Sequence, residues 1–192
     1  QLGTSFAFYT QDSNSMLPEI YDANIVVWTQ KLMVGKYVHN SSFICPSVPD
    51  GASTSKTWKT ITPSYAESRP NDYIFFYPLF GMNRWFKWPR GRSNEVENRK
   101  VTRAKAPSKT DLTADTFLNV DRQAYYYFED SFTSPGLAIR HSRAINCLML
   151  DGHIETITTP ADSDVPMVYN PYTLSIFTVD ISGNSRGTFF TP

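Results

Sequence analysis

AINCLMLDGHIETIT, residues 144–158, has the strongest local pattern in this chain. Two runs rich in apolar and β-branched residues flank Asp151 and Gly152. Asp-Gly between two such runs predicts a β-hairpin with a tight type I′ turn, in which both turn residues need positive φ. Leu148 lies on one face of the first run and Cys147 on the other. Because both faces are apolar, we expect this strand to be buried within a sheet.

The first residues of the chain have a helical pattern. In residues 1–12, the apolar side chains of Leu2, Phe6 and Tyr9 fall on one stripe of a helix. Gln1 is not an N-cap residue, so we expect this helix to continue upstream in the native protein.

A second helix is predicted over residues 23–38. Ile25, Trp28 and Leu32 would form its apolar face. Gly35 would weaken its last turn.

The middle of the chain predicts strands separated by long loops. Residues 72–88 predict a strand, a break at Pro78 and a second segment, and a short strand is expected near Val101. The elements together predict an α+β domain, with two helices followed by an antiparallel sheet. Further strand or edge segments are predicted at 111–117, 124–130 and 173–181.

Composition limits the classes of function. A length of 192 residues predicts one domain, residues 1–192. Lys plus Arg equals Asp plus Glu at 18 each, which argues against nucleic acid and against a polybasic membrane surface as partners. No apolar run approaches the roughly 20 residues of a membrane-spanning helix, and no signal peptide is visible.

The segment RHSRAINCLMLDGHIET contains a further pattern. His141 is followed by nine residues and then by Asp151 and Gly152. The segment resembles the prepilin-type "H-X9-DG" domain of bacterial pilin-like proteins. Further residues that match the family in this segment are Arg140, Ala144, Asn146 and His153.

Other segments resemble the same family in the same order. Phe80 stands where the family has Tyr in its Tyr-Gly-x-Asn segment. The resemblance covers about residues 1–158, and residues 159–192 stay unassigned as a C-terminal extension. The matching segments are QLGTSFAFYTQDSNSMLP at 1–18, KLMVGKYV at 31–38, FICPS at 43–47, FGMN at 80–83 and APSKTDLTADT at 106–116.

The resemblance implies a fold and a function. Such proteins begin with a short leader that a prepilin peptidase removes, and then a hydrophobic helix that anchors the protein in the inner membrane. By this resemblance the chain is a pilin-like head with residues 1–12 as the end of the anchor helix. It would act as a structural or assembly component of an envelope filament or type II secretion-like system, with other pilin-like subunits and assembly proteins as partners. Its head would lie in the periplasm or outside the cell.

A small polar cluster is the first candidate site. His141, Asp115 and Asp151 would bind a metal such as zinc or calcium, or would play a structural role only. In the structural alternative, Asp151 stabilises the turn, and His141 forms a hydrogen bond with the neighbouring strand or with Asp115. Asp162 and Asp164 are weaker calcium candidates in a polar loop. No other cofactor is expected.

Cys45 and Cys147 leave two alternatives open, a disulfide or two buried free thiols. Neither lies in the positive, partly exposed setting of an activated thiolate. The chain also lacks a Gly-x-Ser-x-Gly elbow, a P-loop, a dinucleotide fingerprint and a His-Glu-x-x-His motif. The sequence therefore predicts no catalytic residue and a protein that is not an enzyme.

An aromatic stretch is the second candidate site. Tyr77, Arg84, Trp85 and Trp88 would form a binding surface, since interfaces are enriched in aromatic residues and Arg. Core packing is the alternative. A binding surface here would favour a second function, a membrane-tethered extracytoplasmic module that binds carbohydrate or protein.

Overall fold

The computed structural model describes most of the chain between its first residue and the end of the predicted hairpin, with gaps. The described residues are 1–22, 24–45, 58–70, 72–83, 99–117, 125–128, 136–137, 141, 144–158, 177–179 and 185–188.

The described residues form three α-helices and four short 3-10 helices. The α-helices are α1 (Leu2–Asp12), α2 (Trp28–Val34) and α3 (Pro63–Ser68). The 3-10 helices are Asn40–Phe43, Tyr73–Phe76, Val101–Arg103 and Pro107–Lys109.

Strands β1 to β6 form one sheet, and β7 and β8 form a separate two-stranded sheet. The order β3-β1-β2-β5-β6 is continuous, and β4 pairs with the end of β2. The strands are β1 (Phe80–Asn83), β2 (Asp111–Phe117), β3 (Tyr127–Phe128), β4 (Gly136–Leu137), β5 (Ala144–Met149), β6 (Ile154–Thr158), β7 (Phe177–Val179) and β8 (Ser185–Thr188).

The main sheet is mixed. The pairs β1–β2, β2–β5 and β5–β6 are antiparallel, whereas β1 and β3 run parallel. The α+β class is confirmed, but the prediction of a purely antiparallel sheet is wrong. The reason is that β3 pairs with the outer edge of β1 in the parallel direction.

Helix α1 has the extent that its apolar stripe predicts. It runs over Leu2–Asp12, with Phe6 buried and with Leu2 and Tyr9 partly buried against the same core. Its end is marked by Asn14 and Ser15, which both have positive φ and therefore leave the helical path.

The second helix is shorter than predicted. Helix α2 covers only Trp28–Val34, and Ile25 lies outside it with a φ of 63° and an exposed side chain. The Asp22 carboxylate accepts hydrogen bonds from the backbone N–H groups of Asn24 and Val26, at 2.8 and 3.0 Å. This side-chain turn competes with helix formation, so the helix begins later.

Two predicted strands are 3-10 helices instead. Tyr73–Phe76 forms one because the Asp72 carboxylate caps the N–H of Ile74 at 3.1 Å. Val101–Arg103 forms the other. The second segment of the aromatic stretch, for which no type of element was predicted, forms a strand over Phe80–Asn83.

The predicted hairpin is present, but its turn differs. Strands β5 and β6 pair in register, and Gly152 N–H donates to Met149 O at 2.9 Å while Met149 N–H donates to His153 O at 2.8 Å. Gly152 has a φ of 94°, and Asp151 does not have positive φ. The type I′ prediction is therefore wrong, since a three-residue turn needs the left-handed conformation only at its last position.

The main core lies between the helices and one face of the sheet. The Trp28 side chain is fully buried, stacks on Phe6 at 5.5 Å and meets Phe43 edge-on at 5.6 Å. Its indole N–H donates to the backbone oxygen of Tyr126 at 2.6 Å. Trp28 thus joins α1, α2 and the sheet at one point. The other large, fully buried side chains include Trp58, Phe75, Phe128, Leu17, Leu32, Met33 and Met82.

An ion-pair network fixes α2 to the segment before it. Lys31 Nζ lies 2.6 Å from Glu19 and 3.1 Å from Asp22, and Arg99 lies 3.3 Å from Glu19. Burial raises the pKa of Asp22, but hydrogen bonds from the Val26 N–H and from Lys31 outweigh it and hold the pKa below its ordinary value of 3.8.

Asp22→Asn is expected to lower the free energy of unfolding near pH 7 by about 0.5–1 kcal/mol, because the pair is partly exposed and screened. A depressed folded-state pKa gives stability that is complete above the ordinary value of 3.8 and is lost as the pH falls through the folded value. Urea denaturation at several pH values checks this. A difference between the two proteins that stays constant through acid pH would contradict it.

Candidate functional site

Three side chains with metal-binding or proton-transfer chemistry meet beside the sheet. His141 Nε2 lies 3.0 Å from Asp115 Oδ2 and 3.6 Å from Cys45 Sγ. One ligand atom from each residue lies within 4.8 Å of the other two. Three segments that are distant in sequence therefore converge on one point.

The fold fixes each of these residues through its backbone. Cys45 follows the 3-10 helix Asn40–Phe43, which is held at β1 because Leu79 N–H donates to Phe43 O at 3.2 Å. Asp115 lies in β2 opposite Phe80 of β1.

His141 precedes β5. Its backbone N–H and oxygen exchange hydrogen bonds with Ala144 at 3.1 and 3.0 Å. These two bonds hold the His141 backbone at the start of β5, from where its ring reaches Asp115.

The cluster is mostly shielded from solvent. Cys45 and Asp115 are both 0% exposed, whereas the His141 side chain is 22% exposed. A buried carboxylate is costly unless a cation or a set of hydrogen bonds compensates it. Because only His141 of the three residues is exposed to solvent, an ion or water can reach the cluster from the side of the His141 ring.

The predicted pairing of His141 with Asp115 is present, but Asp151 is not part of the cluster. Asp151 lies at the opposite end of β5, about 20 Å away at the usual rise per strand residue. There its carboxylate contacts exposed His153 Nδ1 at 2.6 Å. Cys45, the third member of the cluster, was not predicted; its signal in the sequence is a cysteine in the FICPS segment.

The geometry does not match a nucleophilic triad. In such a triad the nucleophile and the carboxylate hydrogen-bond to different ring nitrogens of the histidine. Here both Cys45 Sγ and Asp115 Oδ2 lie nearest to the same nitrogen, His141 Nε2. Convergence on one atom suits a shared proton or a shared cation.

Of the two alternatives for the cysteines, the structure has free thiols, and both are buried. Cys147 pairs with Ala114 across the sheet, so it projects to the face opposite that of the adjacent Asp115. The structure therefore contradicts the alternative of a disulfide between Cys45 and Cys147. Burial raises the pKa of the Cys147 thiol well above its ordinary value, with the nearby charges of Asp111, Asp115 and Glu155 adding to the effect.

The remaining motif residues have structural contacts. Asn146 Oδ1 accepts a hydrogen bond from Thr156 Oγ1 at 2.8 Å across the hairpin. Gly152 supplies the left-handed turn residue.

The hairpin also contacts helix α1. A Cβ atom on Gly3 would lie 3.1 Å from Leu148 Cδ1 and 3.4 Å from the backbone oxygen of Gly152. The helix backbone therefore rests directly on the hairpin, and only a glycine permits so close an approach without a shift.

Most of the predicted aromatic surface lies outside the described residues, namely Arg84, Trp85 and Trp88. The calcium candidates Asp162 and Asp164 do too. Tyr77 is described and partly buried. Its backbone oxygen accepts the Trp58 indole N–H at 2.8 Å, and its ring packs 6.2 Å from that of Tyr125. Tyr77 thus contributes to packing between the aromatic segments.

No family model, no curated protein and no solved structure matches this chain. Among the described residues, no helix combines the length and the apolar character needed to cross a membrane.

Gly152→Ala is expected to destabilise the protein by about 1–2 kcal/mol, because an L side chain is strained at a φ of 94°. Nothing lies within 4 Å of the added Cβ, so the cost is conformational and not steric. Gly152→Asn is the matched control and should cost less, since Asn tolerates left-handed geometry. Equal midpoints in urea for Gly152→Ala and the parent would contradict this.

Proposed function

We propose that this protein is a pilin-like subunit, a structural or assembly component of a bacterial envelope filament or a type II secretion-like system. In this proposal α1 is the end of an anchor helix, and the sheet domain is the head that α1 carries. The partners are other pilin-like subunits and assembly proteins, and the head lies on the outer side of the inner membrane.

The contact between α1 and the hairpin carries the proposal. Gly3 of the helix lies against Leu148 and Gly152, which belong to the segment that resembles the H-X9-DG domain. Phe6 adds a stacked contact to Trp28 at 5.5 Å. A leading helix packed on antiparallel strands is the arrangement that the resemblance to pilin-like proteins implies.

The outward face of α1 supports an assembly role. The exposed residues Thr4, Ala7, Phe8, Gln11 and Asp12 follow one another at helical spacing, and of these only Asp12, at the end of the helix, is charged. Phe8 is 55% exposed. A helix face that carries no charge before its last residue, with an exposed aromatic ring, is suited to packing against the helix of another subunit.

Phe8→Asp is expected to weaken assembly of the full-length protein by about tenfold or more, because it places a charge where an aromatic anchor would be buried. Cross-linking of the native envelope protein measures assembly. Tyr73→Asp is the matched control, since Tyr73 is an exposed aromatic residue outside α1. Both purified variants should unfold at the parent midpoint.

If the Phe8→Asp protein assembled as well as the parent, α1 would not be part of the interface. Equal losses in Phe8→Asp and Tyr73→Asp would show that any surface charge disturbs assembly. Either result would contradict the proposed role of α1.

A further inference from the structure

We propose that Cys45, Asp115 and His141 form a binding site for a divalent transition metal, with Zn²⁺ as the best-fitting ion. Thiolate, carboxylate and imidazole are the three kinds of protein ligand that Zn²⁺ takes. One ligand atom from each residue lies within 4.8 Å of the others. This inference is independent of the pilin-like function.

The interatomic distances suit tetrahedral coordination. Usual Zn²⁺ bond lengths at tetrahedral angles place sulfur and nitrogen about 3.6 Å apart, and nitrogen and oxygen about 3.4 Å apart. The observed distances from His141 Nε2 are 3.6 Å to Cys45 Sγ and 3.0 Å to Asp115 Oδ2. A slight rotation of the partly exposed imidazole supplies the small lengthening that the shorter distance needs.

The charges of the ligands suit a dication. A Cys45 thiolate and an Asp115 carboxylate would carry two negative charges at a point where both side chains are fully buried. With a neutral His141, one divalent cation would offset the charges of these two ligands. Because a thiol must lose its proton to bind a metal, metal binding should release a proton and strengthen as the pH rises.

The ligand types select the class of metal. Ca²⁺ and Mg²⁺ prefer oxygen ligands, whereas sulfur and imidazole suit Zn²⁺ and its neighbours in the transition series. The 22% exposure of His141 leaves a fourth coordination position toward solvent. A bound ion would link the segment after Asn40–Phe43, strand β2 and the start of β5, and so it would raise thermal stability.

The test titrates the chelator-treated purified chain with Zn²⁺ and, as a spectroscopic probe, with Co²⁺. We expect one equivalent to bind, a thiolate-to-cobalt charge-transfer absorption and a higher Tm. Cys45→Ser should remove the absorption, and His141→Gln should weaken binding by about 100-fold or more. Circular dichroism verifies that both variants are folded. If Cys45→Ser does not fold, the loss of binding in His141→Gln tests the site.

Two matched controls separate this site from adventitious binding. Cys147→Ser changes the other buried cysteine, which lies on the opposite face of the sheet. His153→Gln changes an exposed histidine that also contacts a carboxylate, that of Asp151. Both should bind Zn²⁺ and Co²⁺ as the parent does. A parent without the charge-transfer absorption, or binding lost in His153→Gln but retained in His141→Gln, would overturn the proposal.

Discussion

Trp28→Ala is expected to lower the free energy of unfolding by about 3–5 kcal/mol, the usual cost of removing a large aromatic side chain from a core. The ring is fully buried, stacks on Phe6 at 5.5 Å and meets Phe43 at 5.6 Å. Its removal leaves a cavity where α1, α2 and the sheet meet. Urea denaturation of the purified chain measures the loss.

Trp28→Phe separates packing from hydrogen bonding. It keeps much of the ring volume but loses the indole N–H that donates to Tyr126 O. That oxygen also accepts the Met82 N–H at 2.9 Å, so we expect a hydrogen-bond contribution of only about 1 kcal/mol. Tyr73→Ala, at a 75% exposed position, should change stability by about 0.5 kcal/mol or less. A Trp28→Ala protein no less stable than Tyr73→Ala would contradict this account of the core.

Gly81→Ala is expected to destabilise the protein by about 3 kcal/mol, at the upper end of overpacking effects. Gly81 lies in β1 between β2 and β3. An added Cβ would lie 2.8 Å from Tyr125 O and 3.0 Å from the carbonyl carbon of Tyr127, and closer still to Thr116 Cγ2. Two of these neighbours are backbone atoms, which cannot move aside cheaply.

The Thr116→Ser background tests this explanation directly. Serine removes the methyl group that crowds Gly81 but keeps the hydroxyl that bonds Tyr125 O at 2.5 Å. We expect the cost of Gly81→Ala to fall in this background without vanishing, since the backbone contacts remain. Denaturant midpoints of the four proteins give the coupling. A Gly81→Ala protein as stable as the parent would contradict the close approach of the strands.

Local sequence patterns predicted the elements that depend on contacts between residues close to one another in the sequence. The period of Leu2, Phe6 and Tyr9 predicted α1, and the runs around Asp151 and Gly152 predicted the hairpin. In both cases burial of one face or pairing across a short turn is enough to specify the structure.

Predictions failed where a side chain or a distant segment controls the backbone. The Asp22 carboxylate binds two N–H groups ahead of α2, so the helix begins only at Trp28. The parallel position of β3 depends on pairing with β1, which no local pattern encodes. Cys45 joins His141 only through long-range folding, since 96 positions separate the two residues in the sequence. For this reason the sequence predicted two members of the cluster but not the third.

The measurement that tests the pilin-like proposal most directly is the N-terminal sequence and intact mass of the native protein from envelope fractions. The account predicts an N-terminus from which a leader has been removed, at the start of an apolar helix that runs into Gln1. An unprocessed N-terminus, or one without an apolar helix ahead of Gln1, would contradict the account and would favour a head domain that acts alone as a binding module.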